Sequence, residues 1–337
     1  MDYKPSSCRY EKMEYKPSGK SGLKLPLLSL GLWYNFGTHG NFEEMRKMCF
    51  AAFDNGITHF DLANNYGPIA GSAEANFGKI LNSDFKGYRD EIIVSTKAGY
   101  DMWEGPCGDG GSRKYLLSSL DQSLKRLGVD YVDIFYHHRY DEETPLEESM
   151  LALDYAVRSG KALYAGISNY DAEQMIRAMD ILKSLNCPFI INQVDYSMLN
   201  RWIEGDVKES AAENGVGLIV FSPLSQGVLS DKYLNGIPEG SRKGKGAEWM
   251  YDITPDLVAK LNDLNEMAKS RGQSLAQMAL SWVLRDGDVT SVLIGASSAE
   301  QIIENIGIVG KTCFTKEELD KIDTITQSLT ATSENPS

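Results

Sequence analysis

The fold class predicted by this sequence is a (β/α)8 TIM barrel, and three observations carry that prediction. Eight short apolar, β-branched runs recur along the chain. Amphipathic helical patterns fill the spaces between them. No Pro/Gly/Ser-rich linker divides the 337 residues. Each run is nearly continuously hydrophobic, as parallel strands buried on both faces must be. Strands that alternate with helices build a parallel sheet through helical crossovers. A doubly wound sheet is the structural rival. A dinucleotide-binding sheet of that kind carries GxGxxG after its first strand, whereas Gly108-Asp109-Gly110-Gly111 and 240–246 have the wrong spacing.

The chain opens with Met1-Asp2-Tyr3-Lys4-Pro5-Ser6, nearly repeated as Met13-Glu14-Tyr15-Lys16-Pro17-Ser18. Residues 1–12 therefore read as a disordered extension, 13–329 as one barrel domain and 330–337 as a loose tail. Lys20–Pro26, with Gly19 and Gly22, predicts an N-terminal hairpin before the barrel. The strand runs follow as Leu27–Trp33, Ile57–Ala63, Ile92–Ala98, Val132–His138, Leu163–Ser168, Phe189–Val194, Leu218–Pro223 and Ser291–Ala296.

Between them lie apolar stripes at helical spacing. One runs through Phe42, Met45, Cys49, Ala52 and Phe53; another through Leu116, Leu120, Leu124 and Leu127, stopped by Gly128. A third runs through Leu146, Met150, Leu153 and Val157, stopped by Gly160, and a fourth through Leu257, Leu261, Leu264 and Ala268, stopped near Gly272. Glycine suits the left-handed residue that ends a helix. About 70 residues separate strands seven and eight, a long insertion. It holds a polar loop, Ser230–Gly246, and two helical patterns. Long loops on a barrel's catalytic face commonly bind ligands.

Composition narrows the function. With 34 Lys and Arg against 47 Asp and Glu, the net charge of −13 argues against a nucleic-acid groove and against an anionic membrane surface. No apolar run approaches the about 18 residues of a membrane span. The first residues lack a signal-peptide core. Five scattered cysteines form no CxxC pair, so neither a disulfide framework nor a zinc cage is expected. Strand-end His, Asp and Glu do not converge on a metal shell. A reduced, cytoplasmic protein is the expectation.

In such barrels chemistry gathers at the C-terminal ends of the strands. Strand two ends in Asp61, with Tyr66 just beyond. Lys97 ends strand three and His137-His138 strand four. Lysine is rarely buried without a partner, and Asp61 on the neighbouring strand can supply one. A structural ion pair explains that couple equally well. Adjacent strand residues face opposite sides, so one histidine faces the axis, and His138 is the choice, with His137 in the core. Together the four describe an acid catalyst. A cationic Lys97 lowers the pKa of Tyr66, Asp61 holds Lys97 charged, Tyr66 protonates a developing alkoxide, and His138 orients the carbonyl oxygen. Reduction would still need a hydride-donating cofactor.

These segments resemble the aldo-keto reductases from about Met13 to Gln327. The likeness rests on His59-Phe60-Asp61-Leu62-Ala63-Asn64-Asn65-Tyr66-Gly67, Ser95-Thr96-Lys97 and Tyr136-His137-His138-Arg139. Gly166-Ile167-Ser168-Asn169, Gln193, Phe221-Ser222-Pro223-Leu224 and Ile294-Gly295-Ala296-Ser297 follow in the family's order. Within the family the chain is most similar to the bacterial glyceraldehyde 3-phosphate reductases, which also reduce methylglyoxal and in turn resemble potassium-channel β subunits. Tyr66-Gly67-Pro68, Gly71-Ser72-Ala73-Glu74, Asn200-Arg201 and 234–238 carry that finer likeness.

The resemblance implies NADP(H) as cofactor, a small aldehyde as substrate and a homo-oligomer, tetrameric or octameric. It implies the tetrad Asp61, Tyr66, Lys97 and His138, with Ser168, Asn169 and Gln193 on the carboxamide and Phe221 stacked on the nicotinamide. Ser222, Pro223, Leu224 and Gly227 fall on the pyrophosphate loop; Gly295, Ser297, Gln301, Glu304 and Asn305 fall on the adenosine side. Arg242 is the candidate partner of a 2′-phosphate, with Lys243 and Lys245 either assisting or merely solvated. Trp33, which also falls at the cofactor, Tyr34 and Trp103 are candidate walls of the substrate site, although ordinary aromatic packing explains Trp103 as well. Two other readings fit the same residues. A barrel aldolase would use Lys97 as a Schiff-base nucleophile, and a channel-like regulatory subunit would bind the cofactor without turnover.

Overall fold

The computed structural model describes the backbone of residues 3–247 and 250–330, with side chains to 327. A hairpin of β1 (Tyr15–Pro17) and β2 (Lys24–Pro26) comes first. The barrel then follows as β3 (Leu28–Gly31), α1 (Phe42–Asp54), β4 (His59–Asp61), α2 (Ser72–Ser83), β5 (Ile93–Ala98), α3 (Arg113–Leu127), β6 (Val132–His137) and α4 (Leu146–Arg158). It continues as β7 (Ala162–Ser168), α5 (Ala172–Ser184), β8 (Phe189–Asp195), α6 (Asp206–Asn214) and β9 (Gly217–Phe221). The insertion carries α7 (Pro255–Ser270) and α8 (Leu275–Val283), and the chain closes with β10 (Val289–Ile294), α9 (Ala299–Ile306) and α10 (Lys316–Thr330). Strands β3 to β10 pair in parallel in chain order, and β10 returns to β3 to close the barrel. The expected hairpin and the long insertion between the seventh and eighth barrel strands are both present.

Local chemistry sets the helix ends. Asn41 caps α1, accepting from the backbone N–H groups of Glu43 and Glu44. Asp171 with Gln174, and Ser274 with Gln277, form reciprocal capping boxes on α5 and α8. Gly128, at φ 67°, ends α3 in the left-handed conformation that a Cβ would penalise.

Two cores result. The larger lies between barrel and helices. The smaller fills the barrel itself with Leu25, Ile134, Tyr136, Ile191, Ile219 and Leu293 among its members. Leu25 comes from the hairpin, which closes the N-terminal end: the Ser18 hydroxyl donates to the Ile190 carbonyl at 2.9 Å and the Lys20 amide to the Gly215 carbonyl. Gly166 makes room for Tyr136, whose ring lies 2.6 Å from where a Cβ would stand.

Alternation along the strands decides what faces the axis. In register, His59 sits beside Ile93, Asp61 beside Ser95, and Lys97 beside Tyr136. His59, Asp61, Ser95, Lys97, Tyr136 and His138 therefore share the interior, while Phe60, Val94 and Phe135 enter the outer core.

The segment before Met13 differs from expectation. Tyr3 stacks on Phe50 at 3.9 Å and donates to Asp54, which also accepts from the Ser6 amide. Arg9 pairs with Glu91 and lies over the Phe53 ring. Aromatic and charged partners on α1 and the turn after α2 thus hold residues 3–12 against the barrel. Of the expected tail, 331–337 and the Thr330 side chain lie outside the described residues.

Behind the site, buried Glu74 on α2 accepts from the Thr96 hydroxyl at 2.5 Å and from Arg126 Nε at 2.7 Å. Removing the cation alone strands a buried carboxylate. Arg126→Ala is expected to cost about 3–5 kcal/mol in urea unfolding, because the unpaired charge stays desolvated.

Candidate active site

A cavity of about 1950 Å³ opens at the C-terminal end of the barrel. At its base Lys97, fully buried, donates to Asp61 Oδ2 at 2.5 Å, to the Leu62 carbonyl at 2.7 Å and to the Tyr66 hydroxyl oxygen at 3.2 Å. An ammonium has three N–H donors and no acceptor. All three are used, and Tyr66 Oη must accept at that contact. The tyrosine's own proton is then available to a partner in the cavity. Asp61 is held from two further sides, by the Ser95 hydroxyl at 2.7 Å and Gln193 Nε2 at 3.1 Å, both on Oδ1.

His138 follows β6 and presents its ring edge-on to Tyr66, centroids 5.9 Å apart, and to Tyr100 at 4.7 Å. Asn169 Nδ2 donates to its carbonyl at 3.2 Å. His137 points the other way, its Nδ1 2.7 Å from the Tyr170 hydroxyl. Of the two histidines, His138 is the one that meets Tyr66.

The electrostatics correct one expectation. The lowering expected from Lys97 is outweighed in the net pKa of Tyr66. Burial raises it well above 10, and Asp61 and Tyr100 push it the same way. Burial also pulls Lys97 below its usual value, against the attraction of Asp61. His138 is pushed well below 6.5 by burial, then by Lys97, His137 and Arg139. Near neutrality Tyr66 is therefore a protonated phenol and His138 a neutral imidazole. That suits an acid which gives up its proton only to a strongly basic oxygen.

The remaining candidates divide by position. Trp33, Asn169, Phe221, Ser222, Pro223, Leu224 and Gly227 line one arc of the cavity wall, and Arg242, Gly295, Ser297, Gln301, Glu304 and Asn305 line another. Ser168 and Gln193 are buried just behind it. Tyr34 forms an edge-on pair with Trp33, and the Arg242 guanidinium lies 5.1 Å over the Tyr34 ring. Lys245 also reaches the cavity, whereas Lys243 is neither assisting nor merely solvated: it is tied to Asp252 at 2.9 Å and to the Met250 carbonyl at 3.1 Å. For Trp103 the structure shows the aromatic packing that the sequence equally allowed. Trp103 packs on Tyr115, centroids 5.1 Å apart, because the loop after β5 folds back on α3.

These residues fit a dinucleotide. Ser168 Oγ and Gln226 Oε1 are buried without hydrogen-bond partners, as groups awaiting a polar ligand are. After β9 the backbone turns left-handed at Ser222 (φ 52°), Ser225 (φ 47°) and Gln226 (φ 61°). Such conformations cost about 1–3 kcal/mol each in non-glycine residues and collect at ligand sites. Sequence reasoning missed His59 and Ser95, which back Asp61, and Tyr100, Trp202 and Lys232 in the wall. His59 and Ser95 lie two residues before Asp61 and Lys97, so strand alternation could have found them. Among the described residues, no three His, Cys, Asp or Glu side chains are grouped to hold a metal, and no helix is long and apolar enough to cross a membrane.

A parallel eight-stranded barrel with this Asp–Tyr–Lys–His arrangement at its mouth defines a carbonyl-reducing enzyme class, and the sequence places the chain within it. It matches the Aldo/keto reductase family over residues 27–327 and belongs to that family, an oxidoreductase family that generally uses NAD(P)H. It is 57% identical over 321 residues to the L-glyceraldehyde 3-phosphate reductase of Escherichia coli (strain K12), covering 94% of this chain and 93% of that protein. The reductase of Escherichia coli O157:H7 gives the same figures. A probable voltage-gated potassium channel subunit beta of Oryza sativa subsp. japonica is 36% identical over 328 residues, covering 94% of this chain and 97% of its own.

Because Tyr66 stays protonated and His138 neutral, kcat for carbonyl reduction is expected to be flat from about pH 6 to 8. An acid limb near pH 6.5 in a rate profile would show His138 ionising in that range, contrary to its burial.

Proposed function

We propose that this chain is an NADPH-dependent reductase of small aldehydes, with glyceraldehyde 3-phosphate and methylglyoxal as the leading substrates. The observation that carries the reading is the Lys97 contact, which leaves the Tyr66 proton facing the cavity. The similarity to the Escherichia coli reductases points to the substrate class. When bound, a reduced nicotinamide supplies the hydride.

The protein's share of the chemistry is assigned on the family likeness, with the cavity lining in support. Ser168, Asn169 and Gln193 would hold the carboxamide, and Phe221 would pack on the ring face. The left-handed loop after β9, with Leu224 and Gly227, would carry the pyrophosphate. Gly295, Ser297, Gln301, Glu304 and Asn305 would take the adenosine side. A carbonyl oxygen placed between Tyr66 Oη and the His138 imidazole accepts hydrogen bonds from both, which orients the carbon. As negative charge builds on that oxygen, Tyr66 donates its proton. Lys97, kept charged by Asp61, stabilises the phenolate that Tyr66 becomes. Trp33 and Tyr34 wall the substrate side.

Arg242 and Lys245 form the positive edge that a 2′-phosphate requires in a chain of net charge −13. On family likeness the reading includes a homo-oligomer, tetramer or octamer, and a cytoplasmic setting.

The test is NADPH oxidation with glyceraldehyde 3-phosphate and with methylglyoxal, repeated with NADH. Turnover favouring NADPH is expected; cofactor binding with no turnover of any aldehyde would sink the reading and leave the regulatory-subunit alternative. Tyr66→Phe is expected to lower kcat by about 10²–10⁴-fold, with NADPH affinity measured by fluorescence nearly unchanged. Arg242→Ala is expected to weaken NADPH by about tenfold, the loss of one charge-assisted contact, and to leave NADH affinity unchanged.

A further inference from the structure

Below the tetrad the barrel interior holds a line of polar side chains that the reduction itself does not use. The Ser291 and Ser29 hydroxyl oxygens are 2.7 Å apart. His59 Nδ1 lies 2.9 Å from Ser29 Oγ and its Nε2 lies 2.9 Å from Ser95 Oγ. Ser95 then donates to Asp61 Oδ1 at 2.7 Å. Every member is buried to 1% exposure or less. The line draws on β10, β3, β4 and β5, so it spans half the barrel.

The proton positions follow from one fact. Asp61, ion-paired to Lys97, can only accept. Ser95 has a single proton and gives it to Asp61, so Ser95 Oγ must accept from His59 Nε2–H. A neutral imidazole with its proton on Nε2 has a bare Nδ1, which accepts from the Ser29 hydroxyl. Ser29 in turn accepts from Ser291. All four donors point the same way, toward the carboxylate, and aligned buried hydrogen bonds reinforce one another.

We propose that His59 is a positioning residue which, through Ser95, orients Asp61 against Lys97 and so sustains the charge on Lys97 beside Tyr66. The proposal rests on the reductase reading for its catalytic consequence but not for its structure. The charged groups facing His59 are Asp61, on its own strand, and Lys97, on the neighbouring one. Burial pushes the His59 pKa down to about 4, against Asp61 and with Lys97. The imidazole therefore stays neutral, as the chain of donors requires.

The consequence for rate has a definite sign. Without the Nε2–H donor, Ser95 is free to rotate, Asp61 loses an oriented partner and Lys97 gives up its proton at lower pH. Uncharged Lys97 no longer stabilises the Tyr66 phenolate. The alkaline fall of kcat should then begin about one pH unit lower in His59→Leu than in the wild type, with NADPH affinity unchanged. A packing role alone would lower Tm and leave that limb in place. His59→Gln keeps a donor at the Nε2 position and is expected to restore the limb toward the wild-type pH.

The experiment is the kcat–pH profile of methylglyoxal reduction for the wild type, His59→Leu and His59→Gln. It is paired with 15N NMR of the four histidines in the unsubstituted protein. The expected spectrum shows His59 as the Nε2–H tautomer, unchanged from about pH 5.5 to 9. An Nδ1–H tautomer overturns the proposal, even where His59→Leu fails to fold. An unmoved limb in His59→Leu, or a Gln variant no better than Leu, overturns it as well. Wild-type protein that turns over no aldehyde is a failure of the reductase reading instead, and the NMR result still decides the donor chain.

Discussion

A lysine ammonium buried without exposure beneath the barrel mouth is the constraint on which the rest of the structure depends. Desolvation alone would strip its proton. The fold answers with a carboxylate at 2.5 Å, a backbone carbonyl at 2.7 Å and a phenol oxygen at 3.2 Å. Supplying those acceptors requires two strands in a fixed register and a loop that brings Tyr66 back over them. The carboxylate in turn needs donors, and they come from three directions: Lys97, Ser95 and Gln193. A buried pair of this kind adds little stability by itself. Its value lies in directing one phenol proton into the cavity.

The same requirement accounts for the way polarity is distributed inside the barrel. Inside the barrel Ile134, Ile191, Ile219 and Leu293 pack together with the hairpin residue Leu25. Among them Ser291, Ser29, His59, Ser95, Asp61 and Lys97 satisfy one another on neighbouring strands. Parallel strands in register make this possible, because inward-facing residues stack in layers around the axis.

Much of this was legible in the sequence, and the reasons are specific. Continuous apolar runs and glycine-terminated helical stripes are properties of short segments, so the barrel, the hairpin and the long insertion could be read directly. The convergence of Asp61, Tyr66, Lys97 and His138 was readable because strand ends in a barrel meet at one mouth. The Trp103 position was not, because it depends on how a glycine-rich loop folds back on α3. The packing of residues 3–12 was not, because Tyr3 and Arg9 find their partners 47 and 82 residues away. The direction of the Tyr66 shift was missed for a physical reason: spacing shows that a lysine is near, but only burial shows that desolvation outweighs it.

The hairpin packs Leu25 into the foot of the barrel and ties Ser18 to the Ile190 carbonyl there. The polar line behind Asp61 ends at Ser291, which is itself sealed from solvent. It can transmit orientation but has no reservoir to draw on. The Tyr66 hydroxyl, by contrast, stands at the cavity in the mouth.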